Sequence, residues 1–377
     1  MAVAMRVGLL VYGLDRPLSG ITRYTLELAR ALAALDNGPE ITLLTAGHPG
    51  PLASLDVQRA SLRGCRLLPA LMGLGNVLIP LLARRLRLDI VHDPTGVMPF
   101  YFGAAQARTI VTVHDVFPWS YPGVSTRLDT FIYRHWLPRA LPRADAVITD
   151  SAASQADISR YLNIPGSQIC VIPLGKSAHY RVPSRVDIEK ARTRYKLPSN
   201  YILFVGSIEK RKNLQRVLQA FVQLRHQGIP HKLVLAGAAK WRFAEIMQSV
   251  DDFGLQEDVI FPGYIAEEDL PALYGGSDVF LFPSFYEGFG LPVVEAMACG
   301  TPAITSNVSS LPEVAGEACL LVDPYDVDSL TDATFRVLTD SHLHRELQER
   351  GSARAAQFTW NRTARETLKV YESVFTV

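Results

Sequence analysis

From one end of the chain to the other, short apolar runs that close on polar residues alternate with segments whose apolar positions recur at helical spacing. MRVGLLV at 5–11 is followed by a loop and then by SGITRYTLELARALAAL, where Ser19 is placed as an N-cap. DIVHDP (89–94), RTIVTVHDV (108–116), ADAVITDS (144–151) and CVIPLG (170–175) continue the series. Residues 176–200 change character, with Lys, Arg, Ser and two prolines and no strong apolar period. The same grammar then restarts with YILFVGS (201–207), HKLVLAG (231–237), DVIFPG (258–263), SDVFLFPS (277–284), PAITS (302–306) and ACLLVDP (318–324). Strands alternating with helices imply a parallel sheet covered on both faces, with functional groups at the carboxyl ends of the strands. The doubled series predicts an α/β chain of two doubly wound, Rossmann-like domains, 1–178 and 179–359. TWNRTARETLKVYESVF has a helical period and lies beyond the last strand, able to pack on either domain.

The length, 377 residues, suits two domains of ordinary size. Lys and Arg (38) balance Asp and Glu (37), which argues against nucleic acid as a partner, since such domains are usually strongly basic. The balance hides an asymmetry: residues 1–178 hold 17 basic and 12 acidic side chains, and 16 of the 17 are Arg. Cys65, Cys170, Cys299 and Cys319 are dispersed, without Cys-x-x-Cys or zinc spacing, and read as small buried residues of a reducing compartment. The N-terminus enters strand character without a signal-peptide pattern, so a cytoplasmic protein is expected. LLPALMGLGNVLIPLLA (67–83) is interrupted by Pro69, Gly73, Gly75, Asn76 and Pro80 and falls short of the ~20 apolar residues of a spanning helix. The basic first half and the Arg-flanked segment 62–87 nonetheless raise the expectation of a peripheral contact with the inner face of an anionic membrane. Core leucines with solvated arginines are the plainer reading.

The chemistry concentrates in PSFYEGFGLPVVEAMACGTPAI at 283–304. FLFPS reads as strand, FYEGFG as loop, Leu291 and Pro292 as the opening of a helix, and Gly300 as its end. Gly288 and Gly290 let backbone approach a ligand closely, and the N–H groups around Phe289 to Leu291 lie at a helix N-terminus, which attracts phosphate. Glu287 sits in that loop and Glu295 in the helix beyond. Two carboxylates would repel phosphate, so they serve uncharged sugar hydroxyls, for which they are good acceptors. Taken singly, Glu295 as a complement to the helix dipole and Glu287 as a solvated loop residue are plainer; together with this loop they point to function.

The cations a phosphate needs lie in GSIEKRKNLQRVLQAF (206–221), where Lys210, Arg211 and Lys212 stand between a strand's carboxyl end and the next helix. Exposed cations there oppose the helix dipole by roughly 0.3–1 kcal/mol each, a cost that a bound anion would reverse. In the first half, PLSGITRY places Gly20 at a helix N-terminus, and TVHDVFP places His114 and Asp115 at a strand's end, where a His can hydrogen-bond a sugar or help move a proton. His92 in DIVHDP shares that placement with a weaker case.

With these motifs in hand, the chain resembles the retaining glycosyltransferases of family four, which have the GT-B fold. Phe285 to Pro292, with Glu295, Ala296, Met297, Ala298, Gly300, Thr301 and Pro302, resembles that family's E-x7-E region. SGITRYTLELARAL, TVHD, VIPLG, VGSIEKRKNL and SSLPEVAGEACLLVDP fall in the family's order across essentially the whole chain. The resemblance implies two Rossmann-like domains facing across a cleft, with the C-terminal helix, about 360–377, crossing back to the first. It implies that Glu287 and the backbone of Phe289, Gly290 and Leu291 hold the transferred sugar, Glu295 the nucleotide ribose, and Arg211 and Lys212 the diphosphate. His114 would face the reacting sugar and Gly20 would lie near the phosphates. Many members carry Arg just after the strand glycine, where this chain has Ser207, so Arg211 and Lys212 would bear more of the basic duty.

The activity so implied is a hexosyl transfer from a nucleotide-sugar donor to a glycan or lipid-linked acceptor, with the new bond on the same face of the sugar. SIEKRKN is similar to bacterial mannosyltransferases that use GDP-mannose, while UDP-glucose and related donors stay open. No cofactor and no metal are expected: the nucleotide-sugar is a substrate, no Asp-x-Asp stands where it would be needed, and DPYD (323–326) reads as a turn. An epimerase or phosphorylase on the same architecture, or a sugar-nucleotide-binding regulator without turnover, are the rival readings.

Overall fold

The computed structural model describes residues 5–14, 20–120, 126–237 and 243–376. Ser19, read above as an N-cap, lies outside the described residues. The chain divides into two compact units, Met1–Gly175 with Thr359–Val377, and Lys176–Phe358.

The first unit is built on a seven-stranded parallel sheet: β1 (Arg6–Tyr12), β2 (Glu40–Ala46), β3 (Gln58–Ser61), β4 (Ile90–Asp93), β5 (Arg108–Thr112), β6 (Ala146–Thr149) and β7 (Ile169–Val171), in the order β3-β2-β1-β4-β5-β6-β7. The second holds six parallel strands: β8 (Tyr201–Val205), β9 (Lys232–Ala236), β10 (Val259–Gly263), β11 (Val279–Phe282), β12 (Ala303–Ser306) and β13 (Leu320–Val322), ordered β10-β9-β8-β11-β12-β13. In each, the order reverses between the first and fourth strands, and ligands of doubly wound sheets bind where it does, at the carboxyl ends. The central strands are buried on both sides, as Leu9, Leu10, Val91, Val111, Leu203, Val234, Phe280 and Ile304 show.

The sequence reading passes over β2 and β3. Strand β2 carries the longest pairing among the described residues, from Arg6↔Glu40 to Tyr12↔Ala46. QRAS of β3 has no apolar run and is a strand through its pairing with Thr42 to Thr45. The interruptions noted in 67–83 do not break the segment either. It is one helix, Leu68–Leu86, with Pro69 in the first turn, where a missing N–H costs nothing, and Pro80 inside. Among the described residues no helix is long and apolar enough to cross a membrane.

The terminal helix Trp360–Phe375 is tied into the first unit through a buried polar chain. His92, fully buried at β4, has Nδ1 2.8 Å from the Tyr371 hydroxyl and Nε2 2.8 Å from Thr112 Oγ1. Tyr24 Oη lies 3.1 Å from the same threonine oxygen. Burial pushes the His92 imidazole down to about 3, helped by the nearby charge of His114, so it stays neutral. His92 is thereby a core tie, the plainer of its two readings.

The chain leaves the first unit at Gly175 and returns at Thr359, and the two crossings touch. A Cβ on Gly175 would stand 2.2 Å from the Trp360 amide nitrogen and 2.5 Å from the Thr359 carbonyl carbon, both backbone atoms that cannot swing aside. Gly175→Ala should therefore destabilise by about 2 kcal/mol or more, read as a lower Tm in calorimetry; an unchanged Tm would mean that this crossing yields at no cost.

Candidate active site

The loops after β8 and β11, the strands beside the order reversal of the second unit, carry most of the predicted residues. Lys210–Lys212 form a single 3-10 turn, and Asn213 follows at φ 61° before the helix Leu214–His226. The Asn213 amide donates to the carbonyls of Pro283 (3.0 Å) and Pro324 (2.7 Å), fastening this turn to the exit of β11. On the other side Gly290 adopts φ 109° and caps the helix Leu291–Ala298, with Pro292 in its first turn. A Cβ there would meet Leu311 Cδ2 at 2.7 Å, so conformation and space both demand glycine.

Glu287 joins the two loops. Its Oε2 accepts from Arg211 Nη1 at 2.7 Å and its Oε1 from Lys212 Nζ at 2.6 Å, with all three groups largely out of solvent. Arg211 Nε also donates to Glu209 Oε2 (3.2 Å), the Ser207 hydroxyl donates to the same carboxylate, and Lys212 Nζ lies 4.4 Å from the centre of the Phe282 ring. Burial opposes the charge on Glu287, but attraction to Arg211 and Lys212 outweighs it and brings the carboxyl down to about 2. On Lys212 burial wins: it lowers the ammonium to about 8, against the pull of Glu287 and with the push of Arg211. The difference is physical, since the glutamate answers two cations and the lysine shares one anion. Of the three cations expected to await an anion, Arg211 and Lys212 already have one, and their cost to the helix start is offset within the protein.

Serines that the sequence reading leaves aside fix the loop's path. Ser309, at φ 59°, donates to the Glu287 carbonyl (2.6 Å) and accepts from the Glu287 amide (3.1 Å). Ser310 Oγ bridges the carbonyls of Glu287 (2.9 Å) and Phe289 (2.8 Å). Phe289 is buried, edge-on to Phe358 at 5.6 Å, and Leu291 opens the helix, where Pro292 has no N–H and the Val293 amide already donates to the Gly290 carbonyl at 3.0 Å. Glu295, inside that helix, is buried and accepts from the Tyr274 hydroxyl at 3.0 Å, an anchor that spacing alone did not reveal.

His114 and Gly20 belong to the first unit. The ring of His114 is clamped between two acceptors, Asp150 Oδ2 at 2.7 Å from Nδ1 and the Pro94 carbonyl at 3.0 Å from Nε2. Tyr24 packs edge-on at 4.7 Å. Burial disfavours the imidazolium, yet Asp150, the Pro94 carbonyl and Asp115 together raise its pKa. A carbonyl oxygen only accepts, so Nε2 donates to Pro94. Asp93 holds that loop in place, accepting from the amides of Thr95 (2.8 Å), Val97 (2.9 Å) and Met98 (2.6 Å). Asp93 and Asp150 end the runs DIVHDP and ADAVITDS, so their position was legible although their partners were not. Gly20 opens the helix Gly20–Ala33, exposed, with nothing within 4 Å of a Cβ built on it. Nearby, the carboxyl ends of β1 and β4 border a pocket of about 330 Å³ lined by Tyr12, Gly13, Thr22, Leu68, Thr95 and Tyr133 among others.

The family described as Glycosyltransferase Family 4 matches residues 18–176, and that described as Glycosyl transferases group 1 matches residues 186–354. The chain is 32% identical to O-antigen chain mannosyltransferase B of Escherichia coli, over 94% of this chain and 96% of that protein. It is 31% identical to the serotype-specific mannosyltransferase WbdA of Escherichia coli over 73% of this chain, but spans only 36% of that protein's length. Among solved structures, sucrose-phosphate synthase of Thermosynechococcus elongatus superimposes with a TM-score of 0.78 at 25% identity, over 99% of each chain.

The Glu287 arrangement has a pH signature. A carboxyl lowered from 4.5 to about 2 on folding contributes stability that is complete above the unfolded value and is lost as pH falls through the folded one. The contribution is ~3 kcal/mol, reduced by what burying Lys212 costs. Wild type should lose stability between about pH 4.5 and pH 2 more steeply than Glu287→Gln, which starts less stable because Lys212 keeps no carboxylate. Parallel denaturation curves across that window would show that Glu287 is not held ionised as described.

Proposed function

The chain belongs to glycosyltransferase family four and has the GT-B fold, and on that premise we propose that it transfers mannose from GDP-mannose, with retention at the anomeric carbon, to a hydroxyl of a growing polysaccharide or other glycoconjugate. The observation that carries this reading is the pair of cations, Arg211 and Lys212, held by one buried carboxylate beside the start of the helix Leu291–Ala298. The diphosphate leaves with the electron pair of the bond to the sugar. Cations already in place and backbone N–H groups at a helix start stabilise that developing charge without rearrangement, which is usually the largest catalytic contribution.

In this reading Glu287 and the backbone of Phe289 to Leu291 meet the sugar, and Glu295, braced by Tyr274, accepts from the ribose hydroxyls. Mannose is supported by the likeness to O-antigen chain mannosyltransferase B along nearly the full length of both proteins. The pocket bordered by β1 and β4 suits an acceptor sugar, and His114 stands at the end of the neighbouring strand. A lipid-linked acceptor would bring the enzyme to a membrane surface.

Three measurements test the proposal. With GDP-mannose and a glycan array as acceptors, mass spectrometry should find a hexose added; donor binding with neither transfer nor hydrolysis would favour a regulator without turnover. Turnover should survive EDTA, because side chains and a helix start neutralise the diphosphate, and activity that vanishes in chelator and returns with magnesium or manganese would overturn that. The two glutamates should fail differently per folded molecule. Glu295→Gln should raise the donor KM more than it lowers kcat, since ribose anchoring serves ground and transition states alike. Glu287→Gln should lower kcat by roughly 10²-fold or more. A kcat within a factor of about three, less than ~0.7 kcal/mol of barrier, would sink the role given to Glu287.

A further inference from the structure

The helix Leu68–Leu86 is apolar on two sides. Its inner side buries Leu71, Met72, Ile79 and Ala83 and admits Pro99 against Gly75. Leu67, Leu74, Val77 and Leu81 follow one another at intervals of seven, three and four residues, which sets them on a single stripe, and each is between 49% and 64% exposed. Arg84 and Arg85 stand exposed three and four residues beyond Leu81. From Val57 to Leu88 the chain holds six arginines (Arg59, Arg63, Arg66, Arg84, Arg85 and Arg87) and no Asp or Glu, and all six are exposed. The last helical turn attracts cations by its dipole, which explains Arg84 and Arg85 but not the arginines that precede the helix.

We propose that this outer stripe, with its arginines, is a docking surface for an anionic lipid bilayer. A contiguous apolar stripe on a surface helix marks an interaction site, and the charge around it selects the occupant. A second copy of the chain would bring Arg84 and Arg85, at the end of the stripe, against like charges of a region that holds no Asp or Glu, which opposes association through this face. An anionic bilayer satisfies both features: the leucines enter the boundary between headgroups and acyl chains, and the guanidinium groups meet lipid phosphates. The helix is too well anchored on its inner side, and too interrupted by charge at its end, to do more than lie on the surface. Leu68, in its first turn, also lines the pocket bordered by β1 and β4. On the reading of that pocket as an acceptor site, docking would hold it beside the lipid that carries the acceptor. The docking itself does not depend on that reading.

Vesicle co-sedimentation of the full chain, without donor or acceptor, tests the surface apart from the chemistry. Wild type should sediment with vesicles of phosphatidylcholine containing a third phosphatidylglycerol, much less with phosphatidylcholine alone, and should be released as salt rises. The double variant Val77→Glu/Leu81→Glu should lose partitioning by at least about tenfold with an unchanged melting temperature, because neither side chain is in the core. Arg84→Gln/Arg85→Gln should weaken binding and flatten its salt dependence, giving an independent arm should the first variant fold poorly. Mannosyl transfer to a water-soluble acceptor should be the same in all three proteins. Equal sedimentation with neutral and anionic vesicles at low salt, or binding indifferent to both double variants, would overturn the proposal. So would a dimer in sedimentation velocity that Val77→Glu/Leu81→Glu dissociates, since a second copy would then be the occupant.

Discussion

The second unit is organised around a carboxylate held between two cations. Glu287 takes Arg211 on one oxygen and Lys212 on the other, and each bond crosses from the loop after β11 to the turn after β8. Burying three charges is costly, and such a cluster is weak evidence for stability in itself. Its consequence is positional. The two loops cannot shift independently, because the same seam is closed by the Asn213 amide on Pro283 and by the Phe285 amide on the Arg211 carbonyl at 2.8 Å. The loop that carries Glu287 leads directly into Gly290 and the helix Leu291–Ala298, so the cations, the helix start and the carboxylate take their places together. Under the proposed transfer, such cations would need no reorganisation at the moment a diphosphate departs.

Two histidines of the first unit show how burial and partners divide one residue type between opposite roles. His92 lies among hydroxyls, those of Tyr371 and Thr112, and burial keeps it neutral. His114 is also buried, but Asp150 on one nitrogen and the Pro94 carbonyl on the other favour the charged ring. The neutral histidine joins the terminal helix to the sheet. His114 sits past the end of β5, where a doubly wound sheet presents its ligands. Its Nε2 donates to a carbonyl and its Nδ1 faces a buried aspartate whose own pKa burial raises, so at this end the first unit offers a directed ring rather than a diffuse positive field.

Much of this was legible in the chain because it is local. Period-2 and period-3.6 apolar patterns are properties of neighbours, so the alternation from MRVGLLV to ACLLVDP foretold two parallel sheets. Pro292 in a first turn and Gly290 at positive φ follow from what those residues allow at a helix start, so the strand, loop and helix around residues 283–300 were readable before any coordinates. The limits were also physical. QRAS has too little apolar content to announce β3, which exists through its partner strand, and the prolines and glycines that interrupt 67–83 lie within one continuous helix that brings Gly75 against Pro99.

The sequence by itself determined which groups the chain owns and at which strand ends they fall: two glutamates, a run of cations, a histidine and a glycine-rich loop. Only the tertiary structure decided their partners. Glu287 meets Arg211 and Lys212 across 76 and 75 residues, His114 meets Asp150 across 36, and Ser309 locks the Glu287 backbone from 22 residues away. The reason is that charge and hydrogen bonding act through distance and burial, and the fold sets both for residues remote along the chain. A carboxylate that reads as a solvated loop residue in isolation becomes a buried counter-ion once two strands stand side by side, and no local pattern carries that information.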